Sequence, residues 1–264
     1  MDNYLSCELT TEEDREKAKG DKKNIMSKKK SSQKDIKLLI KGLSDENGLV
    51  RRNYAKAIAE VGSAALPELI KALLNSKNVI QRRAVAKTLK LVNDPSALPH
   101  LIKALTSDSD SVVQFSAAGA IAIFGEAAVN HLIIVLENQE YTEMQYGLAA
   151  WCLEFIGAKA PNAIKKAAKS KNTNVKSAAI SALEEHIRQS QDQEAIQLVE
   201  SAINDTAENV QIEAIKLVGK LYRIESLIPT LILKLKNKSP DIRQASVLSL
   251  ICLLYTSPSP RDWA

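Results

Sequence analysis

Apolar and small residues recur along this chain in a phrase said seven times. The phrase opens at Val50-Arg51, Gln81-Arg82, Val113-Gln114, Gln145-Tyr146, Val175-Lys176, Val210-Gln211 and Ile242-Arg243, about every 32 residues. Four places after each opening stand Tyr54, Val85, Ala117, Ala149, Ala179, Ala214 and Ser246, and eight places after stand Ile58, Leu89, Ile121, Leu153, Leu183, Val218 and Leu250. Residues four and eight apart share one face of a helix. The eleventh place extends the stripe with Val61, Val92, Phe124, Ile156 and Leu221, and His186 is its polar entry. Gly62, Gly125 and Gly157 follow at the twelfth place, where a left-handed residue would stop the helix. A second apolar phrase comes next, as in Leu66-Pro67-Glu68-Leu69 and Leu98-Pro99-His100-Leu101, with proline in the first turn, where no amide partner is needed.

Each unit therefore reads as a helical hairpin that cannot cover its own apolar face. Alanine at the fourth place lets neighbouring axes approach, and leucine or isoleucine at the eighth fills the space between them. Such units are stable only when stacked. The expected fold is all-α: a right-handed α-α superhelix, or solenoid, of about six full hairpins and a truncated seventh over residues 35–251. Its pattern resembles the HEAT repeat family, in the short, arginine-containing form found in phycobilisome lyases.

Two flanks differ from the array. Residues 1–34 are charged and polar throughout, with too little apolar material to be buried, and are expected to be disordered. Residues 252–264 are expected to be a non-native tail, because Cys252 to Asp262 resembles the in-frame translation of a sequencing adapter.

Composition narrows the function. The chain is 45% hydrophobic but only 4% aromatic, so its core is built from Ala, Leu, Ile and Val. No apolar run approaches the roughly 20 residues that span a bilayer. The net charge of +5 is spread thinly: residues 1–35 hold nine Lys or Arg against eight Asp or Glu, and the remainder 27 against 23. Interleaved signs describe a solvated surface and argue against nucleic acid as a partner. Cys7, Cys152 and Cys252 have neither metal-ligand nor redox spacing, and His100, His131 and His186 fall in different repeats, so neither a metal site nor a disulfide is expected. The reading is of a cytoplasmic protein with reduced thiols.

Aromatic residues are unevenly placed. Phe115, Phe124, Tyr141, Tyr146, Trp151 and Phe155 all fall within residues 115–155. Phe124 and Phe155 are expected in the core. Trp151 occupies a place where other phrases carry Lys56, Lys87, Gly119, Ser181, Lys216 and Leu248, and Tyr146 takes a place otherwise Arg, Lys or Gln. Both rings are thus expected on wet faces, to meet a partner or a flat ligand, or else to pack against the next repeat. His131, at the start of a second helix, is a surface or capping residue or a ligand contact.

The same segment carries a closer resemblance. Phe124-Gly125-Glu126-Ala127-Ala128, then Gln145-Tyr146-Gly147-Leu148-Ala149-Ala150-Trp151 and Phe155-Ile156-Gly157, resembles the E/F-type phycobilin lyases of cyanobacteria and red algae. That resemblance implies help in attaching, isomerising or removing an open-chain tetrapyrrole on a phycobiliprotein cysteine, often with a second HEAT-repeat subunit. The phycobilin would be a substrate rather than a permanent cofactor. Tyr146 and Trp151 would stack on it, and Lys165 and Lys166 would pair with its carboxylates. The attacking thiol would belong to the acceptor, no residue is singled out as catalytic, and a non-catalytic protein-binding scaffold is the alternative.

Overall fold

The computed structural model describes residues 33–221 and 227–256. The expected disordered segment lies outside the described residues up to residue 32, and Gln33 and Lys34 already belong to a helix. Among the described residues there are helices and turns and no strand. They divide into two compact units, the first ending at Phe124 and the second beginning at Gly125.

The first unit contains α1 (Gln33–Gly42), α2 (Gly48–Val61), α3 (Leu66–Asn75), α4 (Val79–Val92), α5 (Leu98–Ser107) and α6 (Ser111–Ile121). Helices α2, α4 and α6 pack in one row, with α1, α3 and α5 behind them. Ile58, Leu89 and Ile121 of the eighth place are fully buried, joined by Leu69, Leu73, Leu101 and Leu105 from the second phrase. The pairing phase differs from the one the sequence suggests. The close partners are α1 with α2, α3 with α4 and α5 with α6, so a second phrase packs on the first phrase that follows it. Three-residue links such as residues 76–78 join the close pairs, whereas the four-residue 3-10 turn Gly62–Ala65 leads from α2 to α3.

The second unit contains α7 (Glu126–Glu137), α8 (Glu143–Ile156), α9 (Pro161–Ala167), α10 (Thr173–Ala182), α11 (Glu184–Ser190), α12 (Gln193–Ala202), α13 (Glu208–Lys220), α14 (Ile228–Lys234) and α15 (Pro240–Thr256). Here α8, α10, α13 and α15 form the row, backed by α7, α9, α12 and α14. Helix α11 is an extra element. It accounts for the longest interval between phrases, from Val175 to Val210, and breaks the expected stripe at Leu183, leaving His186 on a short separate helix. Helix α15 continues through Cys252 to Thr256, so the change of sequence character after Ile251 falls inside a helix; residues 257–264 lie outside the described residues.

The polar places of the phrase build the links. Asn47, Asn78, Asp110, Thr142 and Asn172 each cap a helix by accepting an amide of its first turn, worth about 1 kcal/mol apiece. In six of the seven phrases the second residue of the opening then reaches back to the link, while Lys176 pairs instead with Asp205. Arg51, Arg82, Gln114, Gln211 and Arg243 donate to the carbonyl oxygens of Asp45, Ser76, Asp108, Asp205 and Asn237. Tyr146 holds the same place and does the same work, its hydroxyl donating to the Asn138 carbonyl. Removing that hydroxyl in Tyr146→Phe is expected to lower stability by about 1 kcal/mol. A melting temperature unchanged by the substitution would show the clamp to be idle.

Ion pairs reinforce the first unit. Arg83 lies 2.5 Å from Asp110, and this hydrogen bond, with the Val113 amide, holds the Asp110 carboxyl down at about 2, below its ordinary 3.8. A depressed carboxylate contributes stability above its unfolded pKa and loses it as pH falls through the folded one. Acid titration should therefore weaken the fold between about pH 4 and pH 2. Asp110→Asn should flatten that stretch of the curve, and an identical acid profile in the variant would exclude the pair as its source.

Candidate functional site

Helix α8 carries the chemistry of the second unit. Thr142 and Gln145 form a reciprocal capping box at its start. Leu148, Ala149, Cys152, Leu153 and Ile156 bury one face, which turns Trp151 and Phe155 outward. Trp151 is 41% exposed and Phe155 49% exposed. Their ring centroids are 6.0 Å apart with planes tilted by 32°. Just past the helix, in the turn Gly157–Lys159, the Lys159 ammonium sits 4.5 Å from the Phe155 ring centroid. The result is a ridge of two rings ending in a cation.

The expectation that Phe155 belongs to the core is corrected by this arrangement. Phe155 stands one place before the buried Ile156 of the eleventh place, and a helix turns about 100° per residue, so it faces away from the stripe. Phe124, at the eleventh place itself, is half-buried.

Beside the ridge, α8, α10 and α13 enclose a shallow groove of about 360 Å³. Tyr146, Gly147, Ala150 and Glu154 line it from α8, Ser181 from α10 and Glu213 from α13. Glu154 accepts a hydrogen bond from the Ser181 hydroxyl, so its carboxylate is fixed in place. Such a groove offers acceptors for N–H donors, while the ridge offers π faces and one positive charge.

The expected site residues separate. Trp151 is on the ridge. Tyr146 is half-buried at the groove wall, with its hydroxyl engaged by Asn138, and is not the wet ring the sequence suggested. His131 is half-buried on α7, its Nδ1 3.4 Å from the carbonyl of Ala127 one turn back. Lys165 is only 14% exposed, 2.8 Å from both Asp192 and Glu194, which raise its pKa, Asp192 first. In turn Lys165, with His186 adding to it, holds the Asp192 carboxyl well below the usual range. The ammonium of Lys165 thus ties α9 to α12 rather than standing ready for a ligand. Lys166 is exposed on α9. Cys152 is buried, and burial pushes its thiol up to about 12, which keeps it protonated at neutral pH and unsuited to nucleophilic attack.

Lys159, Glu154 and Gly147 were missed from sequence. A signal for two of them exists: Gly147, Trp151, Phe155 and Lys159 stand four apart, the spacing that aligns residues along one helix face. Among the described residues no group of three or more His, Cys, Asp or Glu is placed to hold a metal ion. Nor, among them, is any helix long and apolar enough to cross a membrane.

Stacked helix pairs of this kind define a helical-repeat protein, and the kind of repeat is given by a model described as HEAT repeats, which matches residues 36–122. The chain is 38% identical over 221 residues to the bilin biosynthesis protein MpeU of Synechococcus sp. (strain WH8020), covering 84% of this chain and 74% of that one, and it belongs to the same family. Among solved structures it is similar to the complex of CpcE and CpcF of phycocyanin lyase from Nostoc sp. PCC7120, with 18% identity, a TM-score of 0.35, and coverage of 70% of this chain and 99% of that one. It is also similar to human deoxyhypusine hydroxylase in complex with glycerol, with 15% identity, a TM-score of 0.34, and coverage of 92% and 97%.

Proposed function

We propose that this chain is a bilin lyase or lyase subunit, which holds an open-chain tetrapyrrole for transfer to, or rearrangement on, a phycobiliprotein cysteine. The observation that carries the reading is the exposed ridge of Trp151, Phe155 and Lys159, on a chain 38% identical to a bilin biosynthesis protein. A bilin is flat and conjugated, and carries propionates on its two middle rings. The two rings of the ridge can stack on it, and Lys159 can pair with a propionate. Glu154 in the adjoining groove can accept a pyrrole N–H. The acceptor protein supplies the thiol, which agrees with the buried, protonated Cys152. The contribution of the chain is to hold pigment and acceptor together, and proximity supplies the rate. Phycobilin is then a substrate, the partners are a phycobiliprotein subunit and a second HEAT-repeat subunit, and the cytoplasm is the setting.

The test is to mix the purified chain with phycocyanobilin or phycoerythrobilin, add apo-phycobiliprotein, and follow the visible spectrum. A red-shifted, fluorescent adduct that survives denaturation is expected. No spectral change, with or without a second HEAT-repeat subunit, would sink the reading. A protein-binding role is favoured by a separate observation: Ile232, Leu233, Val247, Leu248 and Ile251 are exposed apolar residues on α14 and α15. Capture of apo-phycobiliprotein with no effect of bilin would favour that role instead.

A further inference from the structure

Gly147 lies in the interior of α8, exposed, one turn before Trp151. Glycine inside a helix costs about 1 kcal/mol relative to alanine, so its presence calls for a reason. Several other glycines have one. Gly62 and Gly125 adopt positive φ, and a Cβ at Gly157 or Gly219 would collide with a neighbouring helix, whereas half-buried Gly119 in α6 shares with Gly147 the lack of either constraint. At Gly147 φ is not positive, and a Cβ would meet no atom within 4 Å. Nothing in the fold requires glycine at this place.

Its surroundings suggest what does. Gly147 opens the stripe that continues through Trp151 and Phe155 to Lys159, and it also lines the groove beside Tyr146 and Ala150. No indole atom of Trp151 comes within 4 Å of the place a Cβ on Gly147 would take, so the surface there is uncovered. Four residues of helix rise about 6 Å, matching the 6.0 Å between the two ring centroids. Positions 155, 151 and 147 are therefore evenly spaced stations along one line.

We propose that Gly147 keeps open a third station, through which a flat ligand stacked on Trp151 and Phe155 continues into the groove, so that this position sets the length of ligand the site accepts. The inference rests on the tetrapyrrole reading given above. With a propionate at Lys159, one middle ring covers Phe155, the other covers Trp151, and an outer ring lies over Gly147. A side chain there would strike that outer ring. The same side chain would leave a shorter molecule untouched.

The experiment compares the intact chain, Gly147→Leu and Trp151→Ala, each titrated with phycocyanobilin and with a two-ring dipyrrinone bearing one propionate. Leucine is a strong helix former, so Gly147→Leu should melt no lower than the parent chain. Its phycocyanobilin affinity should fall about tenfold or more, while dipyrrinone affinity stays within about twofold. If Trp151→Ala loses phycocyanobilin and Gly147→Leu binds both ligands normally, the tetrapyrrole reading stands and the role of Gly147 is overturned. If the intact chain binds neither ligand, both fall together.

Discussion

Replacing Trp151 with alanine is expected to weaken phycocyanobilin binding about thirtyfold, roughly 2 kcal/mol, with the helical circular dichroism signal intact. The magnitude follows from what the ring can offer. An aromatic pair contributes about 0.5–1.5 kcal/mol beyond the area it covers, and a half-exposed indole covered by a flat ligand adds the burial of its free face. Stability should change little, because the indole is 41% exposed and its ring neighbour Phe155, tilted against it at 6.0 Å, is exposed too. The pairing also links the rings: Phe155→Ala should reproduce part of the loss and weaken the hold on Lys159, whose ammonium lies over that ring. A calorimetric titration that gives equal affinities for the parent chain and Trp151→Ala would remove the ridge as the pigment site. A collapse of helicity in Trp151→Ala would instead mark the indole as structural.

The second large effect is on the fold. Gly157→Ala is expected to lower stability by about 3 kcal/mol, the upper part of the range for overpacking. The twelfth place suggested a left-handed residue, and Gly62 and Gly125 do take positive φ, 70° and 59°, though with ψ of −145° and −132° rather than left-handed helical values. Gly157 does not: its φ is −13°, and its glycine is needed because a Cβ would run into the carbonyl oxygen at Ala182, the end of α10. That oxygen belongs to backbone and cannot swing aside. Relief would require the turn Gly157–Lys159 to lift from α10, carrying Lys159 off the Phe155 ring. Stability should therefore fall in chemical denaturation, and propionate-dependent affinity with it. A change below about 1 kcal/mol would mean that the turn moves freely and the contact is not a constraint.

The repeat was legible because its cause is local. A stripe at places four, eight and eleven must be buried, and Leu89, Ile121 and Leu153 are buried as that stripe requires. Pairing phase was not legible, since both assignments of the two phrases bury the same stripe; link length and cap geometry decide between them. The site was half legible. Trp151 stood out because four of the six other phrases put Lys or Ser at its place, whereas the use of Tyr146 was not legible, because a phenol can reach back to a carbonyl as arginine and glutamine do at the same place. Lys165 was chosen for its charge, and only the approach of α12, bringing Asp192 and Glu194 to 2.8 Å, shows that charge engaged.

Periodicity, small residues at the fourth place and a near relative were enough to determine stacked helix pairs and the family to which the chain belongs. Tertiary structure alone decided which functional groups remain available: Trp151, Phe155 and Lys159 stay open to solvent, while Lys165, Tyr146 and Cys152 are taken up by neighbouring elements. The physical reason is that apolar spacing is a property of one helix, whereas the pairing of a charge, a hydroxyl or a thiol depends on groups brought from other parts of the chain.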